Sequence, residues 1–183
     1  MQLIDSDEYW QSQRAAYFQE LSSFGAMPET VVRRLVQEGR VVRLEAGEVL
    51  YTAGEPSHSF FIVLSGTVHS YMPRKDGGWA LARCHQAGDD MGFVPMIALC
   101  ERPASTIAEE ESTVVEISSD QFLLLHEQDP DAFGLLLLNL VRGMARAIIN
   151  MAGMLADLNA ELHTTYPTAL KREEGDETPS DSE

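Results

Sequence analysis

The chain has 183 residues, 44% of them hydrophobic and 23% charged, which is enough for one domain with a full hydrophobic core. Its 13 basic and 29 acidic side chains leave a net charge of −16. That balance argues against unaided nucleic-acid binding, which needs Lys and Arg to neutralise phosphates, and it opposes docking on an anionic membrane surface.

The opening MQLIDSDEYW is acidic and has no basic stretch followed by an apolar run, so no signal peptide and a cytoplasmic protein are expected. Residues Glu8 to Phe24 then carry a helical pattern in which Tyr9, Tyr17, Phe18, Leu21 and Phe24 share a face. Met27-Pro28-Glu29 reads as a second helix start, with Val31, Val32, Leu35 and Val36 on the apolar side and Gly39 as the stop. From Val41 the pattern changes to short strands, expected over Val49 to Thr52, Ser59 to Leu64, Thr67 to Met72, Trp79 to His85, Ser105 to Glu109 and Thr113 to Ile117. Turn residues separate them: Gly47, Gly54-Glu55-Pro56, Ser65-Gly66, Asp76-Gly77-Gly78 and Gly88-Asp89-Asp90. Many short strands at regular spacing predict an antiparallel barrel or sandwich.

After Ile117 the pattern is helical again. Ser118 or Ser119 caps a short helix over Phe122 to Leu125, and Asp129-Pro130-Asp131 starts a long one. Along it Phe133, Leu137, Leu140, Met144, Ala147, Met151, Met154 and Leu158 alternate in spacing by four and three, a heptad seam. A helix from Asp131 to Leu162 would be roughly 48 Å long at 1.5 Å per residue, longer than a domain of this size can cover. A homodimer paired through Leu137, Leu140, Met144, Ala147, Met151, Met154 and Leu158 is therefore expected, with Gly143, Ala147 and Gly153 allowing close approach. No apolar run reaches membrane-spanning length, because Gly134 and Asn139 interrupt the stretch around Phe133 to Val141. The tail KREEGDETPSDSE is expected to be disordered. The expected organisation is an N-terminal helical segment over 1–40, a β-roll over 41–118, C-terminal helices with the dimer helix over 119–163, and an acidic tail over 164–183.

Leu44-x-x-Gly47-Glu48-x-Leu50-Tyr51-x-x-Gly54-Glu55, followed by Phe60-Phe61-Ile62-Val63-Leu64-x-Gly66-x-Val68, closely resembles the cyclic-nucleotide-binding domain family of catabolite-activator regulators and kinase regulatory subunits. The resemblance covers roughly Phe18 to Leu158. It implies an α+β, mainly β fold: an antiparallel β-roll of the double-stranded jelly-roll kind, with N-terminal helices and a long C-terminal dimerisation helix. Phe60, Ile62 and Leu64 can face one side of the sheet, and Phe61 and Val63 the other. The phosphate-binding segment implied by the family is Gly88-Asp89-Asp90-Met91-Gly92-Phe93-Val94, continuing through Arg102-Pro103-Ala104-Ser105-Thr106-Ile107-Ala108. Helix N–H groups and one guanidinium would hold a cyclic phosphate there.

The ligand set implied is Gly92, Phe93, Val94, Arg102, Ala104 and Ser105, with Ala147 and Ile148 on the long helix against the base. The regulatory ligand implied is cyclic AMP, cyclic GMP or a related small anion. The sequence departs from the family's pattern where Phe93 replaces the ribose-binding glutamate, where Pro103 lacks an N–H, and where Ala147 and Ile148 replace hydroxyl side chains.

A non-enzymatic sensor that signals through the dimer helix is the reading these residues favour. The competing reading is a protein-interaction module in which Phe93 fills a degenerate pocket, the Met-rich helix binding an effector protein. In either reading Arg102 holds an anion or forms an ion pair with Glu101 or Glu109. The transcription factors of the family add a helix-turn-helix after the dimer helix, whereas here an acidic tail follows, so direct DNA binding is not expected. His58, His69, His85, His126 and His163 form no His-x-His pair, although His69 and His85 could meet across strands, and no metal or haem site is expected. Cys84 and Cys100 make no redox motif and are expected to be reduced and buried.

Overall fold

The computed structural model describes residues 1–13 and 15–162. Among the described residues, nine strands and six α-helices follow in chain order. They are β1 (Gln2–Ile4), α1 (Ser6–Ser12), α2 (Ala15–Glu20), a 3₁₀ turn at Ser22–Phe24, α3 (Glu29–Glu38), β2 (Arg40–Leu44), β3 (Val49–Tyr51) and β4 (Ser59–Ser65). Next come β5 (Thr67–Pro73), β6 (Trp79–Gln86), β7 (Asp90–Met91), α4 (Phe93–Ile97), β8 (Ser105–Ala108), β9 (Ser112–Ser118), α5 (Ser119–Gln128) and α6 (Pro130–Leu162). The strands form two antiparallel sheets, ordered β1-β2-β9-β4-β7 and β3-β8-β5-β6. This is the expected antiparallel β-roll with N-terminal helices and a long C-terminal helix.

Strand β4 divides the core. Phe60, Ile62 and Leu64 face the helical side, with Phe18, Phe24, Val32, Leu136 and Leu140 among their cluster. Phe61 and Val63 face the interior of the roll, in a cluster with Val42, Leu44, Tyr51, Val68 and Val114. Alternation along a strand buried on both faces produces this split, as the sequence predicted.

Local capping rules hold at the C-terminal helices. The Ser118 hydroxyl accepts from Gln121 N–H, and the Gln121 side chain returns to Ser118 N–H, a complete capping box. The Asp129 carboxylate accepts from Ala132 N–H at 3.0 Å and starts α6.

Several expectations need correction. The single helix expected over Glu8 to Phe24 is broken into α1, α2 and the 3₁₀ turn, and Trp10 stacks on Phe18 with ring centroids 4.2 Å apart. The N-terminal 40 residues are not purely helical, because Gln2–Ile4 pairs with Arg43–Val41. Strands β2 and β7 were not expected. Each is too short to show a pattern and is made a strand by partners far along the chain, β9 for β2 and β4 for β7. Both cysteines are exposed, not buried. His69 and His85 do not meet: His85 is buried opposite Val68 in the roll interior, whereas His69 pairs across from Cys84 and meets Glu109 at 3.2 Å.

The long helix also differs in detail. The chain divides into two compact units, Met1–Ala145 and Arg146–Glu183, with the boundary inside α6. In the first unit Ala132, Leu136 and Leu140 are buried at four-residue spacing. Asn139 donates to the carbonyls of Ser23 (3.3 Å) and Gly25 (2.8 Å). Leu140, fully buried in the chain's own core, has no surface left for a second copy, and Leu137 also packs against that core. The seam expected from the heptad spacing is corrected at Leu140, which lies on the four-residue repeat of buried positions, whereas Leu137 keeps part of its surface. In the second unit Ile148, Ile149, Met151, Met154, Leu155 and Leu158 are each more than half exposed. Pro130–Ala160 is also long and apolar enough, by length and composition, to cross a membrane. The sequence reading missed this by looking for an unbroken apolar run. The acidic tail expected over 164–183 lies outside the described residues.

Candidate functional site

Arg102 is the centre of the site. It stands on the loop between α4 and β8, and its backbone is clipped to the β3–β4 loop in two places. Arg102 N–H donates to the Glu55 carbonyl at 2.9 Å, and Gly54 N–H donates to the Arg102 carbonyl at 2.9 Å. The side chain is 5% exposed. Its Cζ lies 4.0 Å from the Tyr51 ring centroid and 5.3 Å from that of Phe61, which are cation–π distances. Nη2 donates to the Ser59 carbonyl at 3.1 Å and to the Ser59 hydroxyl at 3.2 Å.

The expected alternative, an ion pair with Glu101 or Glu109, does not form. Among the described residues Arg102 has no carboxylate within ion-pair distance, and Glu109 is taken by His69. Nη1 is buried with no hydrogen-bond partner. An unsatisfied buried guanidinium N–H is costly, and such a group in a native site calls for an acceptor.

Gly92 explains the position of Nη1. It caps α4 in the left-handed region, at φ 79°, and a Cβ there would lie 2.4 Å from Nη1. Only glycine combines that backbone angle with room for the guanidinium. Of the implied ligand set, then, the structure brings Gly92 and Arg102 together.

The other members behave differently. Phe93 is fully buried in the helical-side core, in edge contact with Phe60 and Phe122. Its ring is therefore part of the chain's own core and does not fill the cavity beside Arg102, which corrects the expectation of a pocket plugged by Phe93. Val94 is 48% exposed. Ala104 is buried, and the Ser105 hydroxyl is already engaged as acceptor from Ala53 N–H at 3.0 Å. Ala147 and Ile148 lie in the second unit, where Ile148 is exposed.

A cavity of about 260 Å³ opens beside Arg102. Its charged lining is Arg102, Arg40, Glu55, Glu116 and Met1 with its ammonium, and His58, Tyr51 and Phe61 supply its rings. None of Gly92, Val94, Ala104 or Ser105 lines it. Glu116 is tied in twice: Oε1 accepts from the Ser59 hydroxyl at 2.7 Å, and Oε2 accepts from Arg40 Nη1 at 2.7 Å. The relay runs from Arg102 through the Ser59 hydroxyl to Glu116 and on to Arg40. Strand register builds it, because β9 lies between β2 and β4 and sets Glu116 opposite both Arg40 and Phe61. The sequence reading missed Arg40, Ser59 and Glu116. Their only signal is pairing between strands more than 50 residues apart, which no local spacing displays.

Deeper in the roll lies a second polar chain. The Ser70 hydroxyl meets Thr106 Oγ1 at 3.1 Å and His85 Nε2 at 2.9 Å, and His85 Nδ1 meets the Asp90 carbonyl at 3.1 Å. Burial, aided by nearby Arg83, pushes the His85 pKa down to about 4. Burial pushes the Asp90 carboxyl up to about 6. A Cβ on Gly143 of α6 would lie 3.2 Å from Asp90 Oδ1, so the helix backbone passes close to that carboxyl.

With this geometry in place, comparison with known proteins is informative. Residues 41–129 match the family described as "Cyclic nucleotide-binding domain". A cyclic nucleotide-binding domain from Methylobacillus flagellatus KT superposes with a TM-score of 0.67 at 20% identity, covering 90% of each chain. The catabolite activator protein of Thermus thermophilus superposes with a TM-score of 0.63 at 20% identity, covering 76% of this chain and 63% of that one. At these identities the likeness establishes the fold. Among curated relatives, neuropathy target esterase sws of Drosophila virilis is 24% identical over 155 residues, which is 79% of this chain. The chain spans about 10% of the length of that relative. The fold class is thus a cyclic-nucleotide-binding-type β-roll.

Proposed function

We propose that the chain is a non-enzymatic sensor domain whose β-roll binds a small anion at Arg102, cyclic AMP, cyclic GMP or a related metabolite being the ligand class. The observation that carries this reading is the buried Nη1 of Arg102, which lies against Gly92 with no acceptor. A buried guanidinium N–H without an acceptor is costly and is satisfied when an anion sits beside it. The lost glutamate at Phe93 and the missing N–H at Pro103 weaken a cyclic nucleotide relative to the family pattern. Each lost polar partner costs about 1–3 kcal/mol, so affinity in the micromolar range or weaker is expected for unmodified cyclic AMP. Calorimetry with cyclic AMP, cyclic GMP and small organic acids tests the reading. Arg102→Gln is expected to lower affinity for the anion that binds by at least about tenfold. Unchanged affinity in that variant would sink the anion site.

The output of the sensor is the second half of α6. Its exposed apolar residues, Ile148, Met151, Met154, Leu155 and Leu158, suit pairing with the same helix of a second copy. A ligand shifts such a pair only through a difference in affinity between two helix arrangements. Met154→Glu with Leu158→Glu is expected to convert dimer to monomer in sedimentation without unfolding the roll. A wild-type chain that sediments as a monomer at tens of micromolar would contradict the dimer.

A further inference from the structure

We infer that Asp90 and Gly143 form a proton-controlled latch: the protonated carboxyl keeps the turn of α6 around Gly143 docked on the roll, and the ionised carboxylate releases it. The inference does not depend on the anion-site reading. It starts from one contact. Asp90 is 8% exposed, and its Oδ1 lies 3.2 Å from where a Cβ on Gly143 would stand. A side chain at 143 would push the carboxyl aside, so glycine lets the helix backbone sit directly over it. Among the described residues no Lys, Arg or His forms an ion pair with Asp90; Arg83 reaches Asp89 instead, at 3.9 Å. A carboxylate desolvated without a paired cation is costly, so docking of the helix favours the neutral acid.

The turn above Asp90 is also where α6 is held least. Asn139 clips the helix to the Ser23 and Gly25 carbonyls, and among the described residues Leu140 is the last buried position along it. Gly143 and Met144 are half-buried, and the boundary between the two compact units follows Ala145. Glycine inside a helix costs about 1 kcal/mol relative to alanine, so this turn opens at lower cost than the roll. The charged and titratable groups around Asp90 come from few elements. Strand β6 brings Arg83 and His85, Asp89 is its neighbour in the chain, and β5 brings His69 on the far side of His85. Strand β4 sets Ile62 opposite it, and on α6 the exposed Arg142 and Arg146 flank Gly143. His85 lies in the roll interior and stays there when the turn opens, so its titration bears on unfolding of the roll and not on the latch. Burial holds the docked Asp90 carboxyl at about 6, against 3.8 for an ordinary aspartate. The docked turn therefore binds the proton more tightly than the open one, and docking weakens as pH rises through about 6.

Hydrogen exchange of the full chain tests the inference, with protection factors for Leu140–Ala145 corrected for the intrinsic exchange rate at each pH. Between pH 4 and pH 7 wild type should lose protection there by about tenfold or more, with a ceiling of roughly fiftyfold if the open turn exposes the carboxyl completely. Strand β4 should keep its protection over the same range, because its exchange follows unfolding of the roll. Asp90→Asn, which cannot ionise, should hold the protection of Leu140–Ala145 constant, and Asp90→Ala should do the same if the asparagine variant does not fold. Protection of the turn that is independent of pH in wild type overturns the latch. A pH dependence that survives loss of the carboxyl overturns it too. So does a loss shared equally by β4, since the event is then unfolding of the roll and not release of the helix.

Discussion

Replacing Asp90 by asparagine is expected to stabilise the fold above pH 7 by about 3 kcal/mol and to make it newly sensitive to mild acid. Burial raises the folded Asp90 carboxyl to about 6, against an ordinary aspartate value of 3.8. The folded state therefore binds the extra proton between those values, and stability falls as pH rises through that window. His85 behaves in the opposite sense. Its folded pKa is about 4 against 6.5, so its contribution is full above pH 6.5 and is lost as pH falls toward 4. In the wild type the two windows overlap and the effects offset each other, which predicts a nearly flat stability between pH 4 and 6.5. Asp90→Asn removes one side. Urea unfolding at pH 8, 6 and 4 should show the variant above wild type at pH 8, and losing about 3 kcal/mol by pH 4. A wild-type profile that falls steeply on its own across this range would contradict the offset. The groups that bear on the pair are Arg83, Asp89 and His69, and the backbone of α6 closes over Asp90 at Gly143.

Gly66→Ala is expected to cost about 3 kcal/mol, or roughly 6–12 °C in melting temperature. Gly66 turns the chain from β4 into β5 at φ 82°, and a Cβ there would lie 2.4 Å from Ser112 Oγ, 2.5 Å from the Glu111 carbonyl and 2.7 Å from Ser112 Cα. Two of these are backbone atoms of β9 and the loop before it, which cannot swing aside. The left-handed angle adds about 1–2 kcal/mol for any side chain. Gly47 serves as the control, since it shares φ 82° but has nothing within 4 Å of a Cβ. Gly47→Ala should therefore show the conformational cost alone, about 1–2 kcal/mol. Equal losses at the two positions in thermal melts would show that packing against β9 contributes nothing.

The legible parts of this molecule are those set by neighbours in sequence. Gly47, Gly54 and Gly66 all have positive φ, as their places beside apolar runs required. The two-faced burial of Phe60 to Leu64, the Ser118 cap and the Asp129 start of α6 are likewise local rules obeyed. Family resemblance added Arg102 and Gly92 as a pair, and the geometry keeps them in contact. It also placed Phe93 at the ligand, where packing against Phe60 and Phe122 has instead drawn the ring into the core.

By itself, then, the order of residues determined the β-roll, its turns, its inner and outer faces, and the one arginine around which a site is built. Tertiary structure decided what surrounds that arginine. Strand register alone puts Glu116 beside Arg40 and Phe61, and with them the Ser59 relay that reaches Arg102. The physical reason is separation: turns and caps are satisfied within a few residues, whereas a carboxylate 14 positions from Arg102 and 76 from Arg40 finds both only when β9 is seated between β2 and β4.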